Sequence, residues 1–120
     1  MRSDSVVIIP TYNEKENIEK MIETVLGIEE HSFDMLIIDD NSPDGTGDIV
    51  DAIASREPRV NVLHRTGKLG LGTAYITGFK WALEHGYEFI IEMDADFSHP
   101  PRKLLELHEA CAHQGADVAV

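Results

Sequence analysis

The stretch LIIDDNSPDGTGDIV, residues 36–50, contains an apolar run, a polar turn and the start of a helix in direct succession. The apolar run ends at two aspartates, and the Asn, Ser, Pro, Asp and Gly residues that follow all favour turns. Beyond the turn, Ile49, Val50, Ile53 and Ala54 recur at helical spacing. A strand, a short turn and a helix form the repeating unit of parallel α/β sheets. The stretch therefore predicts an α/β fold.

The same alternation continues along the whole chain. We expect buried parallel strands at residues 6–9, 35–38, 60–63, 89–93 and 118–120. Helical periodicity predicts one helix at residues 18–26 and a second that contains Ile49, Val50, Ile53 and Ala54 and stops before Pro58. It also predicts a third helix at about residues 72–85 and a fourth that begins at Pro100. This order predicts a Rossmann-like, mostly parallel sheet with helices on both faces and a ligand site beyond the carboxyl ends of the strands. We expect one domain over residues 1–120, truncated at its C-terminus because no helix follows the last strand.

Composition and charge exclude several classes of protein. The chain has 120 residues, of which 42% are hydrophobic and 27% charged, so it is neither disordered nor fibrous. It has 10 Lys and Arg against 22 Asp and Glu, and the resulting net charge of -12 disfavours nucleic acid or an anionic membrane face as partner. Cys111 is the single cysteine, and no stretch reaches the roughly 20 apolar residues of a membrane span. We therefore expect a cytoplasmic chain.

Asp94 and Asp96 stand two residues apart at the end of the fourth predicted strand. Alternation along an extended chain sends both carboxylates to the same side, where one divalent ion could bridge them. Such oxygen ligands suit Mg²⁺ or Mn²⁺, which accept phosphate oxygens in their remaining positions. The alternative is a solvated loop or a helix cap, since this spacing is common. The position at a strand end favours the metal site.

The aspartates after the second strand allow two interpretations. Asp40 is well placed to accept hydrogen bonds from a ribose hydroxyl or a base N–H, as carboxylates do in other nucleotide-binding folds. The second interpretation is a structural turn, in which Thr46 or Asp48 caps the next helix. Both remain open at this point.

The glycine-rich segment at residues 67–72 invites a phosphate-binding interpretation, but it matches neither standard motif. A P-loop requires Ser or Thr after its lysine, where this chain has Leu69, and a dinucleotide motif requires Gly or Ala where it has Tyr75. What remains is either a turn or an anion contact, for which Arg65 and Lys68 are the nearby cations.

Four stretches of the chain resemble family-two glycosyltransferases of the GT-A fold, and among them the polyprenol (dolichyl) phosphate mannose synthases. They are VVIIPTYNEKENI at residues 6–18, LIIDDNSPDGTGDIV at 36–50, VLHRTGKLGLGTAYITGFKWAL at 62–83 and IEMDADFSHPP at 91–101. Together they cover most of the chain in order, and the middle two are far more specific than the paired aspartates alone.

The resemblance implies GDP-mannose as donor, a polyprenyl (dolichyl) phosphate as acceptor and Mg²⁺ or Mn²⁺ as cofactor. It also implies the role of individual residues. The substrate-binding residues would be Pro10, Tyr12, Glu14, Asp40, Lys68 and Asp94, and the metal-binding and catalytic residues would be Asp94 and Asp96. Ser98 stands where the family can have Gln, and its hydroxyl is a shorter ligand than the Gln side chain. Any membrane contact would come through parts absent from this chain, at the cytoplasmic face.

The family mechanism implied is a single displacement that inverts the anomeric carbon. A lipid phosphate is largely ionised at neutral pH and needs no general base. The acceptor half of the family is absent after Val120, so we expect this chain to bind the donor without turnover. The alternatives are a family-two enzyme with a different donor or acceptor, and a module that only binds nucleotide. A receiver domain is disfavoured, since it requires paired acids after the first strand.

Overall fold

The computed structural model describes residues 4–28, 32–66, 71–93 and 118–119. These residues form one parallel sheet of five strands in the order β3-β2-β1-β4-β5. The strands are β1 Ser5–Thr11, β2 Asp34–Asp39, β3 Val60–His64, β4 Phe89–Glu92 and β5 Val118–Ala119. The helices are α1 Ile18–Leu26, α2 Thr46–Ala54 and α3 Leu71–Glu84. The predicted parallel α/β sheet is confirmed, while the predicted helix at Pro100 lies outside the described residues.

Strand β1 lies in the middle of the sheet and is covered on both faces. Ile8 is in register with Leu36 of β2 on one side and with Glu92 of β4 on the other. Val7 and Ile9 pack in the cluster that includes α1 and α2, and the residues that alternate with them pack in the cluster that includes α3. The sheet therefore has helices on both faces, as the unbroken apolar runs predicted.

Helix α1 has the predicted buried stripe, formed by Ile18, Met21, Ile22 and Val25, and it ends at Gly27. Helix α3 is followed by Gly86, whose φ of 77° is a left-handed conformation that glycine adopts without steric penalty. Both helices agree with the sequence-based expectations, to within one residue at each end of α3.

Helix α2 contains Ile49, Val50, Ile53 and Ala54, as the periodicity predicted, and it begins at Thr46. Neither expected capping residue provides the cap, because the N-cap is Gly45, which has no side chain. Instead, the carboxylate of Asp44 accepts a hydrogen bond from the Thr46 backbone N–H at 3.0 Å. This bond satisfies one of the free N–H groups at the start of the helix.

Because the strands are parallel, the loops that follow them leave from one edge of the sheet. Thr11 is in register with Asp39, and Asp39 is in register with His64, so β1, β2 and β3 end at the same level. The backbone N–H of Met93 donates to the carbonyl of Ile8 at 3.0 Å and keeps the end of β4 beside β1. No helix in the part of the chain that the structure describes is long and apolar enough to cross a membrane.

Candidate functional site

Two loops at the edge of the sheet where the parallel strands end are joined by hydrogen bonds. Three consecutive backbone N–H groups in the loop after β1 donate to side-chain oxygens in the loop after β2. The pairs are Asn13 with Ser42 at 3.0 Å, Glu14 with Thr46 at 3.0 Å, and Lys15 with Asp44 at 3.1 Å. The two loops therefore form one hydrogen-bonded unit, which sequence analysis did not predict.

Asp39 is a structural residue of this unit. It is 2% exposed, and its carboxylate accepts hydrogen bonds from the Thr11 hydroxyl at 3.0 Å and from the Ser42 hydroxyl at 2.6 Å. The Ser42 backbone N–H also donates to it, at 3.1 Å. For Asp39, the turn interpretation of the sequence accounts for these contacts.

Asp40 directly follows β2, is buried, and is paired with Arg65. The guanidinium donates from Nε to Oδ1 at 2.6 Å and from Nη2 to Oδ2 at 2.7 Å, a two-point contact between side chains that are 10% and 9% exposed. Arg65 also donates from Nη1 to the hydroxyl of Thr73 at 3.0 Å. Each carboxylate oxygen of Asp40 keeps a further lone pair for a ligand.

The predicted substrate-binding residues Pro10, Tyr12 and Glu14 lie at the same edge as Asp40, and all three are half-buried. Glu14 also starts the next helix, because its carbonyl accepts the backbone N–H of Ile18 at 2.9 Å. The structure therefore brings four of the predicted residues together. Lys68, Asp94, Asp96 and Ser98 lie outside the described residues.

Two carboxyl groups at this edge have shifted pKa values. The hydrogen bond from the Thr46 hydroxyl, helped by backbone N–H groups, holds the pKa of Asp44 below its ordinary value of 3.8. The ionised Asp44 carboxylate therefore contributes its full stabilisation above pH 3.8, and this contribution is lost as the pH falls through the lowered pKa. At the end of β4, burial raises the pKa of Glu92. Within the described residues no group of three or more His, Cys, Asp or Glu side chains could hold a metal ion.

Three mannosyl-transferring proteins are similar to this chain in sequence. The polyprenol monophosphomannose synthase of Mycolicibacterium smegmatis is 48% identical over 97% of the chain, and the undecaprenyl-phosphate mannosyltransferase of Micrococcus luteus is 52% identical over 88%. The dolichol-phosphate mannosyltransferase of Pyrococcus furiosus is 40% identical over 95%. The chain spans 43% of the length of the first two relatives and 31% of the third.

Solved structures share the fold. A mannosyltransferase from Pyrobaculum calidifontis, in complex with GDP-Man and Mn²⁺, matches 88% of this chain and 31% of its own with a TM-score of 0.69 and 29% identity. S. aureus TarS matches 96% of this chain and 33% of its own with a TM-score of 0.71, and at 22% identity it supports the fold alone. The family model described as glycosyl transferase family 2 matches residues 6–120. The chain thus has the sheet of the GT-A fold and belongs to glycosyl transferase family 2.

Proposed function

We propose that this protein transfers mannose from GDP-mannose to a polyprenyl phosphate, as the N-terminal, donor-binding part of a mannose synthase. The observation that carries the proposal is the similarity, over nearly the whole chain, to relatives named as polyprenyl-phosphate mannosyltransferases. The arrangement of Pro10, Tyr12, Glu14 and Asp40 at one edge of the sheet supports it, because this is where ligands bind in open α/β folds.

Each residue has a stated role in the proposal. Tyr12 and Glu14, together with Pro10, would line the nucleotide, and Asp40 would accept N–H groups from the guanine. Lys68 would contact the diphosphate as a cation. The Arg65 contact occupies the inner side of both carboxylate oxygens of Asp40, so the guanine N–H groups would bind the outer lone pair of an oxygen.

A divalent ion fits the chemistry of this edge. Asp94 and Asp96 would hold Mg²⁺ or Mn²⁺, and their carboxylate oxygens are the ligands that these ions prefer. The bond from the Met93 backbone N–H to the Ile8 carbonyl places the residue that precedes Asp94 in sequence beside β1. When bound, the ion supplies positive charge that stabilises the departing diphosphate.

The attack of the acceptor phosphate does not require a general base from the described residues. A phosphate monoester is already ionised near neutral pH, so it can attack without a general base. A single displacement would invert the configuration of the mannose. We propose that the reaction takes place at the cytoplasmic face of the membrane.

The metal role predicts that GDP binds this chain more tightly with Mn²⁺ or Mg²⁺ than with EDTA. In Asp96→Ala this difference should vanish, because one of the two carboxylates that hold the ion is lost. Isothermal titration calorimetry of both proteins measures it. Glu84→Ala, at an exposed position at the far end of α3, is the matched control and should keep the metal dependence. GDP affinity that does not depend on metal in the wild type would contradict the role.

The proposed base contact predicts a preference for GDP over UDP. Guanine can offer two N–H groups to Asp40, whereas uracil offers one. A hydrogen bond to a charged group contributes roughly 1.5–3 kcal/mol, so GDP should bind about 10- to 150-fold more tightly. Asp40→Asn should reduce that ratio in competition titrations. Equal affinities for GDP and UDP would instead favour a family-two enzyme with a different donor.

The transfer itself is tested by mannolipid formation from GDP-mannose, Mn²⁺ and a short polyprenyl phosphate. The protein should be assayed at the full length at which its gene encodes it. We expect labelled mannose to enter the lipid phase and GDP to be released in equal amounts. Binding of GDP-mannose with no transfer to any polyprenyl phosphate would reduce the proposal to a nucleotide-binding module.

A further inference from the structure

The hydrogen bonds between the two site loops follow one pattern twice. In the first case, the Ser42 hydroxyl donates to the carboxylate of Asp39 at 2.6 Å, and its oxygen accepts the backbone N–H of Asn13 at 3.0 Å. In the second, the Thr46 hydroxyl donates to Asp44 at 2.5 Å and accepts the backbone N–H of Glu14 at 3.0 Å. Each carboxylate thus orients a hydroxyl that binds one amide of the neighbouring loop.

This pattern fixes the direction of each bond. A hydroxyl has a single hydrogen, so donation to the carboxylate leaves only lone pairs to face the amide. Thr46 is fully buried, and the second carboxylate oxygen of Asp44 accepts the N–H of Lys15 at 3.1 Å. Bonds to an ionised carboxylate are stronger than neutral ones, which makes the hydroxyls rigid acceptors.

The loop that these acceptors hold contains a residue in a left-handed conformation. Asn13 has a φ of 57°, in a region that asparagine adopts more readily than most other non-glycine residues. Tyr12 and Glu14 flank it in sequence. Without the bonds from the loop after β2, the loop after β1 would sample other conformations. Ordering it when the ligand binds would then cost free energy and weaken binding.

We propose that Ser42, Asp44 and Thr46 are positioning residues that hold the loop at residues 12–15 in its ligand-binding form before the nucleotide arrives. The inference rests on the proposed function, since Tyr12 and Glu14 matter here as nucleotide contacts. These residues bind backbone N–H groups of the loop, and they act on the donor through it.

The test compares Thr46→Val with Thr46→Ser. Valine matches threonine in shape but lacks the hydroxyl, whereas serine keeps it. We expect Thr46→Val to weaken GDP binding about tenfold, the effect of losing one hydrogen bond to a buried group, and Thr46→Ser to restore it. Thr77→Val is the matched control, because its hydroxyl bonds the Thr73 carbonyl within α3 and no other described residue, and GDP affinity should not change.

Amide hydrogen exchange shows whether the variant loses order only in the loop after β1. In Thr46→Val, exchange at Glu14 should accelerate while amides of β1 stay protected. Ser42→Ala provides a second variant at a half-buried position, and it should accelerate exchange at Asn13 instead. Thermal unfolding, followed alongside, separates a local effect from a loss of the fold.

The outcomes separate the two proposals. If the wild type binds GDP and both Thr46→Val and Ser42→Ala bind it equally well, the positioning role is wrong and the proposed function stands. If the wild type does not bind GDP with any metal, the proposed function fails and the positioning role fails with it. If affinity falls only in proportion to thermal stability, and Thr46→Ser does not restore it, the hydroxyl has a structural role alone.

Discussion

Arg65→Ala is expected to destabilise the protein by about 3–5 kcal/mol, because it leaves the Asp40 carboxylate buried without its cation. Asp40 is 6% exposed and receives two charged hydrogen bonds from Arg65. A surface pair would contribute about 0–1 kcal/mol, so the size of the effect tests whether the pair is truly desolvated. Urea unfolding followed by circular dichroism measures the free energy of unfolding.

Two further variants identify the cause. Arg65→Lys keeps the charge but cannot form the two-point contact or reach Thr73 in the same geometry, so its stability should lie between those of the wild type and Arg65→Ala. Combining Asp40→Leu with Arg65→Met removes both charges and should recover most of the loss, although GDP binding should be lost. If Arg65→Ala stays within about 0.5 kcal/mol of the wild type, the pair behaves as a surface pair and the expectation is wrong.

Gly78→Ala is expected to be less stable than Gly72→Ala by about 1–3 kcal/mol, although both replace a glycine of α3. A Cβ at Gly78 would lie 2.7 Å from Cγ2 of Ile8 and 2.9 Å from Cδ1 of Ile38. Ile8 is β-branched, and its position in the middle strand of the sheet leaves it little room to move. The close approach of α3 to the sheet therefore requires glycine at this position.

Gly72→Ala is the matched control, because a Cβ there meets no atom of the described residues within 4 Å. Alanine is favoured over glycine in a helix by up to about 1 kcal/mol, so this variant should be as stable as the wild type or more so. Both free energies of unfolding come from the same denaturant titration. Equal stability of the two variants would show that α3 can shift away from Ile8 at no cost.

The fold was largely predictable because its signal is local and repeated. Apolar runs such as residues 6–9, and the helical spacing of Ile18, Met21, Ile22 and Val25, each report burial within one segment. Hydrophobic spacing did not give the first residue of α2, because a side chain outside the periodic pattern binds at that end of the helix. Helix α2 begins at Thr46 because Asp44 binds its N–H, and hydrophobic spacing contains no information on that bond.

At the site, the sequence determined which residues reach the carboxyl edge of the sheet, since strand order and parallel direction place the loop at residues 12–15 and Asp40 there. Only the tertiary structure decided what those residues contact. Asp40 meets Arg65 across 25 residues of sequence, and the amide of Glu14 meets Thr46 across 32. Such contacts depend on the register of neighbouring strands and on the direction of individual lone pairs. Neither property can be predicted from the hydrophobic periodicity of a single sequence.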